Sequence, residues 1–561
     1  MLKKLLLLLV VLALAFGLPR LGARWLRALE NALGRVARRH GLAVLLAGLA
    51  AFAISAGITT LIGPSPPHIH DEFANLLAAD TFVKGRLTNP PHPLWEHFEG
   101  VHILSQPRYM SKYPPAQGLM LAVGQALTGK PYVGLWLSAA LACAALCWAL
   151  LAWVPARWAL LGGLLAATHP IIVKWSQVYW GGLEAVLGGA LVLGAFRRIL
   201  KPAQNNNASP LPLSHGFLLG LGMGILANSR PFEGFVFCLL TMGFFFIWCL
   251  GGHCPPFTVL FQRVGLPMAA ALAPIFLFMG LYNYRATGHP LRMAYMEYER
   301  QYAVAPFMVW QKPRATPEYR HDFIRRHMLD YALVEHQRQQ NLPGLLKESR
   351  DKVQRLLQAF WPFRPWYLWA IVAAIPLAAF CCGWRRDGWA KLASVLTLLF
   401  FAGLMLETWM WDRYAAPSAA LIAVIVLMAY RRLRVFRWEG RPVGLFLARA
   451  MVGLCLLAPI PWTMVRAKEY AEKPWDYQRL AIIRDLEQRG GQHLIIVRYA
   501  PTQSVHDDWV HNGADIDAQA VIWARHMEGK NQRLLDYYKD RSVWLLEPHK
   551  EPVKLEAYRN E

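Results

Sequence analysis

The chain has 561 residues, 55% of them hydrophobic and 17% charged, and a formal charge of +23 at pH 7. So apolar a composition excludes a soluble protein of this length and points to one large membrane domain with something smaller at its C-terminal end. The positive charge lies in short loops between apolar runs, not on a basic surface interleaved with aromatics, which excludes nucleic acid and makes membrane lipid the surrounding partner.

Residues 1–41 hold an apolar stretch, 5–18, behind Lys3-Lys4, and then Arg20, Arg24, Arg27, Arg35, Arg38 and Arg39. The first part, with Ala13-Leu14-Ala15, has the look of a signal peptide. Cleavage there would put the Arg-rich stretch outside and invert the charge rule for the loops. An uncleaved short or interfacial helix is therefore expected.

A helix needs about 20 apolar residues to cross a bilayer. Runs of this kind are 42–63, 133–153, 157–173, 180–196, 214–229, 232–250, 264–284, 366–383, 391–409, 415–430 and 443–463, about eleven spans by the length rule. Starting inside, every second loop is cytoplasmic. These loops carry Arg157, then Arg197, Arg198 and Lys201, then Arg263, then Arg385, Arg386 and Lys391, and finally Arg431, Arg432, Arg434, Arg437 and Arg441. Asp387 and Glu439 are the acidic residues among them, as positive-inside topology requires. The expected fold class is an α-helical polytopic membrane protein. Its membrane domain covers 42–463, with outer loops 64–132 and 285–365. The tail, 464–561, reads as a small α/β domain on the outer side, with strands at 493–499 and 542–547 and helices at 477–489 and 531–539. The stretch 204–209 is a polar cytoplasmic loop tip. The eight cysteines lie in apolar runs or cytoplasmic loops and are expected as free thiols without a disulfide framework.

The charged groups at the outer ends of the spans are the candidate site. Asp71-Glu72 follows the first span, in the run HIHDEFANLLAADTFVKG. A carboxylate at the membrane mouth can take a proton from an acceptor hydroxyl as a general base; the plainer alternative is that Asp71 caps the helix that follows. His68 and His70 stand just before the pair and would either tune it or offer weak candidate ligands for a divalent metal. Lys112-Tyr113, ahead of Pro114-Pro115, is either a snorkelling Lys with an interfacial Tyr or a donor pair for a lipid phosphate. Arg230 and Glu233, between two apolar runs with almost no loop, and Arg413-Tyr414 in a tight outer turn place two arginines where they can grip one phosphate. The bland reading is that their acidic neighbours merely tie helices together. Residues 174–180 (KWSQVYW) form an aromatic belt or a sugar-stacking surface, with Glu184 within reach of the same cavity. Asp515-Ile516-Asp517 has the form of a metal-binding Asp-x-Asp, but the tail is small for a nucleotide-sugar fold, and a turn and helix cap is expected.

These features together resemble the GT-C glycosyltransferases, over roughly 40–430. They are the acidic pair after the first span, an outer loop of amphipathic helices, a large outer loop after the seventh span and the Arg-Tyr-x-x-Pro turn. Within that superfamily they resemble the protein O-mannosyltransferases and the lipid A aminoarabinose transferase. HDEFANLLAADTFVKGRLTNP and SKYPPAQG are similar to a bacterial branch of the superfamily. The resemblance implies a polyprenyl-phosphate sugar donor and inversion at the anomeric carbon; an envelope acceptor and a bacterial inner-membrane location are expected with it, and the loop charges put the active site and tail on the periplasmic side. It implies Asp71 as catalytic base, with Glu72 matching the second acid of the mannosyltransferase pair, and Arg413-Tyr414 near the lipid phosphate. Lys112, Tyr113, Arg230 and Glu233 are carried as substrate-binding candidates from their own positions. The alternative function is a transporter or lipid-handling protein without transferase activity, which the absence of repeats and of midplane charges disfavours.

Overall fold

The computed structural model describes residues 2–200, 211–253, 255–360, 387–472, 474–550 and 552–559. Among these residues six helices are long and apolar enough to cross a membrane: His40–Ile62, Tyr132–Leu150, Pro231–Gly252, Phe257–Thr287, Asp412–Val435 and Val443–Lys468. The other expected spans among the described residues are shorter helices, for local reasons. The run 157–173 breaks into Ala156–Ala167 and Pro170–Trp175 because Pro170 must start a new helix, which the His169 side chain caps through the Ile171 N–H. The run 180–196 starts at Leu183, since Gly181 and Gly182 turn the chain with φ of 87° and 128°. Leu213–Ser229 and Gly388–Leu404 have 17 residues each. The expected span 366–383, the loop tip 204–209 and Cys254, Cys381 and Cys382 lie outside the described residues. Cys143, Cys147, Cys238 and Cys455 are free, but Cys249 is disulfide-bonded, which corrects the expectation of free thiols there.

The bundle closes through small residues. A Cβ on Gly188 would meet the Gly222 carbonyl at 3.0 Å, and one on Gly189 would meet the Pro417 carbonyl at 2.0 Å. Helix Leu183–Ile199 therefore lies directly against helix Leu213–Ser229 on one side and the Asp412–Ser418 turn on the other. The basic loops gather at one end of the bundle. Glu30 pairs there with Arg434 (2.9 Å) and Arg449 (2.8 Å), and Arg197 stacks on Trp389 at 3.5 Å. Helix Leu2–Gly17 packs beside Val443–Leu456 at the same end. Span His40–Ile62 runs from this basic end to the end that carries Asp71.

At that second end lie helix His70–Val83, a short antiparallel pair β1 (Ile103–Leu104) and β2 (Met110–Ser111), and helices Ala116–Thr128 and Ala294–Tyr302. The tail adds β3 (His493–Val497), β4 (Val521–Arg525), β5 (Ser542–Leu546) and β6 (Leu555–Ala557) in the order β4-β3-β5-β6, the first three parallel and β6 antiparallel. Successive side chains of a strand point to opposite faces. Ile495 and Val497 thus pack with Trp509, Trp523 and Leu486 of the tail, while Leu494 and Ile496 join Ala74, Leu77 and Phe98 of the first outer loop in a shared core. Polar ties reinforce it: Asp80 accepts the Ala514 N–H at 2.7 Å, and Asp515 pairs with Arg86 (2.6 Å) and Lys84 (2.9 Å). Asp517 meets His92 at 3.0 Å, so both acids of the Asp-x-Asp are engaged in docking the tail.

Candidate active site

Helix His70–Val83 begins after Ile69, which is extended at φ −128° and ψ 161°. The two carboxylates of its first turn complement the helix dipole but do different things. Glu72 turns back: its Oε2 accepts the N–H groups of His68 (2.6 Å) and Ile69 (3.3 Å), and its Oε1 accepts that of Tyr179 (2.8 Å). It closes the helix start onto the 174–180 loop and does not line the cavity beside Asp71. Burial pushes its carboxyl up, against the pull of those donors.

Asp71 faces the cavity. Its Oδ1 accepts from the Tyr113 hydroxyl and from Arg413 Nη2, both at 2.9 Å, and its Oδ2 lies 3.7 Å from His102 Nε2. Burial raises the Asp71 carboxyl, but Arg413, the Tyr113 hydrogen bond, Lys112 and Arg230 outweigh it and hold the group below the usual carboxylate range. It is therefore ionised at neutral pH and can accept a proton.

A small cavity opens beside it, lined by Asn75, Tyr113, Gln117, Trp180, Glu184 and Arg230 among others. Glu184 accepts from the Ser138 hydroxyl at 2.7 Å. The Arg413 guanidinium lies 4.9 Å from the Trp180 ring, and the Tyr414 ring sits between two guanidiniums, Arg230 at 4.8 Å and Arg413 at 5.6 Å. Glu233 stands 3.8 Å from Arg230. Lys174 reaches Asp412 at 3.0 Å and flanks Trp180, so the aromatic loop contributes one cavity wall.

Lys112 lies on the far side of Tyr113, in a second cavity with Tyr282, Asn283 and Tyr295. Its ammonium is 3.4 Å from Glu299 and 4.5 Å from the Tyr298 ring. Burial pulls its pKa down despite Glu299 and Asp71. Of the sequence-derived residues, Asp71, Tyr113 and Arg230 line one cavity, Arg413 and Tyr414 reach it through Asp71 and Arg230, Lys112 adjoins it across Tyr113 and Glu233 pairs with Arg230. His68 points away, to Asp476 at 3.2 Å. His70 instead belongs to two groups of side chains able to hold a metal ion, His70–His327–His506 and His70–Asp508–His511. His102, His327, His506 and His511 were not singled out in the sequence. They are scattered over more than 400 positions, and only the fold collects them.

No family model and no curated protein sequence matches the chain. Solved structures do. ArnT from Cupriavidus metallidurans in the apo state aligns with a TM-score of 0.51 and 11% identity, over 89% of this chain and 92% of that one. The chain has a GT-C fold. Two further GT-C structures align less closely. ArnT bound to undecaprenyl phosphate gives a TM-score of 0.46 at 12% identity, over 90% of this chain and 92% of that one. The apo oligosaccharyltransferase of Archaeoglobus fulgidus gives 0.43 at 12%, over 82% and 62%.

Proposed function

We propose that this protein is an inverting membrane glycosyltransferase that moves a sugar from a polyprenyl-phosphate donor to an acceptor hydroxyl on an envelope glycan, lipid or protein. In this reading about eleven spans form the catalytic domain over 42–463, by the length rule. The Asp71 end and the tail 464–561 face the periplasm, and the basic loops face the cytoplasm of a bacterial inner membrane. The observation that carries the proposal is Asp71, held by Arg413 and Tyr113, at a cavity shared with Arg230.

Asp71 takes the proton of the acceptor hydroxyl, whose oxygen attacks the anomeric carbon from the face opposite the phosphate. The bond from that carbon to the phosphate oxygen breaks, and both its electrons leave with polyprenyl phosphate. In this reading Arg413 and Arg230, with Lys112 beyond Tyr113, receive that charge in a buried setting, where preorganised cations count most. As phosphate draws the Arg413 guanidinium, Asp71 is freed to act as a base.

The test is transfer from radiolabelled polyprenyl-phosphate sugars by the purified protein in lipid, wild type beside Asp71→Asn. Label transferred by the wild type and lost in a folded Asp71→Asn supports the reading. Undiminished turnover in the variant removes Asp71 as the base.

A further inference from the structure

We propose that His70, His327 and His506 bind one zinc-class divalent cation that fastens the tail to the helix bearing Asp71. The three come from separate parts of the chain. His70 opens helix His70–Val83, His327 begins a π-helical turn in the second outer loop, and His506 lies in the tail between β3 and β4. Each offers one ring nitrogen, and these nitrogens lie within 4.8 Å of one another. The ring centroids are 5.2 Å apart for His70 and His327, 6.2 Å for His327 and His506, and 6.5 Å for His70 and His506. Zinc bonds imidazole nitrogen at roughly 2.0–2.1 Å, so modest ring rotations bring the three nitrogens onto one ion.

Hydrogen bonding points the same way. His70 Nε2 donates to the Val505 carbonyl at 2.8 Å, which fixes the tautomer and leaves Nδ1 bare. A metal-binding histidine is typically held this way, with its other ring N–H on a backbone carbonyl. Nδ1 of His70 and Nδ1 of His327 are buried without a hydrogen-bond partner, a costly state unless a ligand fills it. His506 is exposed and gives the ion a path in. Three imidazoles suit a borderline-soft ion over calcium or magnesium, which take oxygen ligands.

The competing group, His70–Asp508–His511, fits less well. Asp508 is already bound by Arg525 at 2.6 Å and by the Tyr499 hydroxyl at 2.8 Å, and a cation there would face the Arg525 guanidinium. His511 is stacked flat on Phe73, with centroids 3.9 Å apart. At the chosen group the ion would sit one residue from Asp71, which orients the base without touching the reacting atoms.

The experiment is metal analysis of the full-length protein, purified in detergent without a histidine tag, dialysed with zinc and then against metal-free buffer. The expected result is about one zinc per chain in the wild type, and under roughly a tenth of that in both His327→Ala and His506→Ala. His511→Gln should retain it. EDTA should lower the Tm of the wild type and leave that of His506→Ala, an exposed and fold-neutral change, unmoved. Zinc that dialyses away from the wild type, or wild-type zinc content in both alanine variants, overturns the proposal. So does loss in His511→Gln with retention in His506→Ala. None of these readouts depends on transfer activity.

Discussion

Asp71 and Arg413 meet at 2.9 Å although 342 residues separate them. One stands in the first turn after the first span and the other opens a late one, so the contact ties together two ends of the sequence at one end of the bundle. Both side chains are largely buried, at 15% and 7% exposure. Removing one partner of such a pair strands the other charge, at a cost of about 3–5 kcal/mol. Arg413→Ala should therefore lower the Tm and cut transfer about 100-fold or more, the scale of losing one preorganised charge-stabilising donor. Asp71→Asn with Arg413→Ala should recover part of the stability and none of the activity. A double-mutant cycle on Tm and kcat separates the two roles. Additive stability losses would mean the pair is not coupled.

Glu72 should behave differently from its neighbour. Its two oxygens accept three backbone N–H groups. In Glu72→Gln one acceptor becomes an NH2 facing a donor, which should cost about 1–3 kcal/mol in stability. Transfer should fall far less than in Asp71→Asn. Thermal melts and kcat measured on the two single variants show the crossover: Glu72→Gln loses mainly stability, Asp71→Asn mainly rate. Complete inactivity of a well-folded Glu72→Gln would place that carboxylate in the chemistry.

Gly189 packs against the turn that carries Arg413. An added methyl would fall 2.0 Å from the Pro417 carbonyl, in the same turn as Arg413. Backbone cannot yield as a flexible side chain can, so Gly189→Ala should shift that turn and cost about 1–3 kcal/mol by overpacking. Transfer should drop by more than the stability loss accounts for. Gly243→Ala, where nothing lies within 4 Å, is the matched control and should leave both unchanged. Wild-type kcat in Gly189→Ala would show that the turn tolerates displacement.

The six long apolar helices and the gathering of charge at one end were legible because both are local properties: apolar runs, and ionisable residues at their ends. Arg230, Arg413 and Asp71 announce themselves by standing where charge is expensive. What adjacent residues do was not legible. Successive positions on a helix point about 100° apart, so Asp71 enters the cavity while Glu72 turns to the Tyr179 backbone. The breaks at Pro170 and at Gly181-Gly182 are plain in retrospect, yet the apolar runs through them mask them. Strand β4, only Val521–Arg525, is too short to declare a period. Within the histidine cluster only His70, next to Asp71, stood out locally; His327 and His506 had no local signal, since His70 and His506 become neighbours only when the tail docks.

The docked outer layer should loosen in acid, and His321 gives that a measurable handle. Its Nε2 donates to the Glu96 carbonyl at 2.7 Å, and Glu99 lies 3.5 Å away. Burial, with the Arg525 and His97 charges adding to it, pulls the imidazole from its ordinary 6.5 down to about 3. Between these values the unfolded chain binds a proton that the folded one does not. Stability is therefore intact above about pH 6.5 and declines as pH falls towards about 3. Glutamine offers the same N–H donor and takes up no proton. Across that window the Tm of His321→Gln should fall less steeply than that of the wild type, by a few degrees on the scale of about 1 kcal/mol. Carboxylates elsewhere titrate identically in both proteins, so the difference between the two curves isolates His321. Parallel curves would mean that the ring takes its proton in the folded state at an ordinary pH, and that the contact between the second outer loop and the Glu96 backbone opens without resistance.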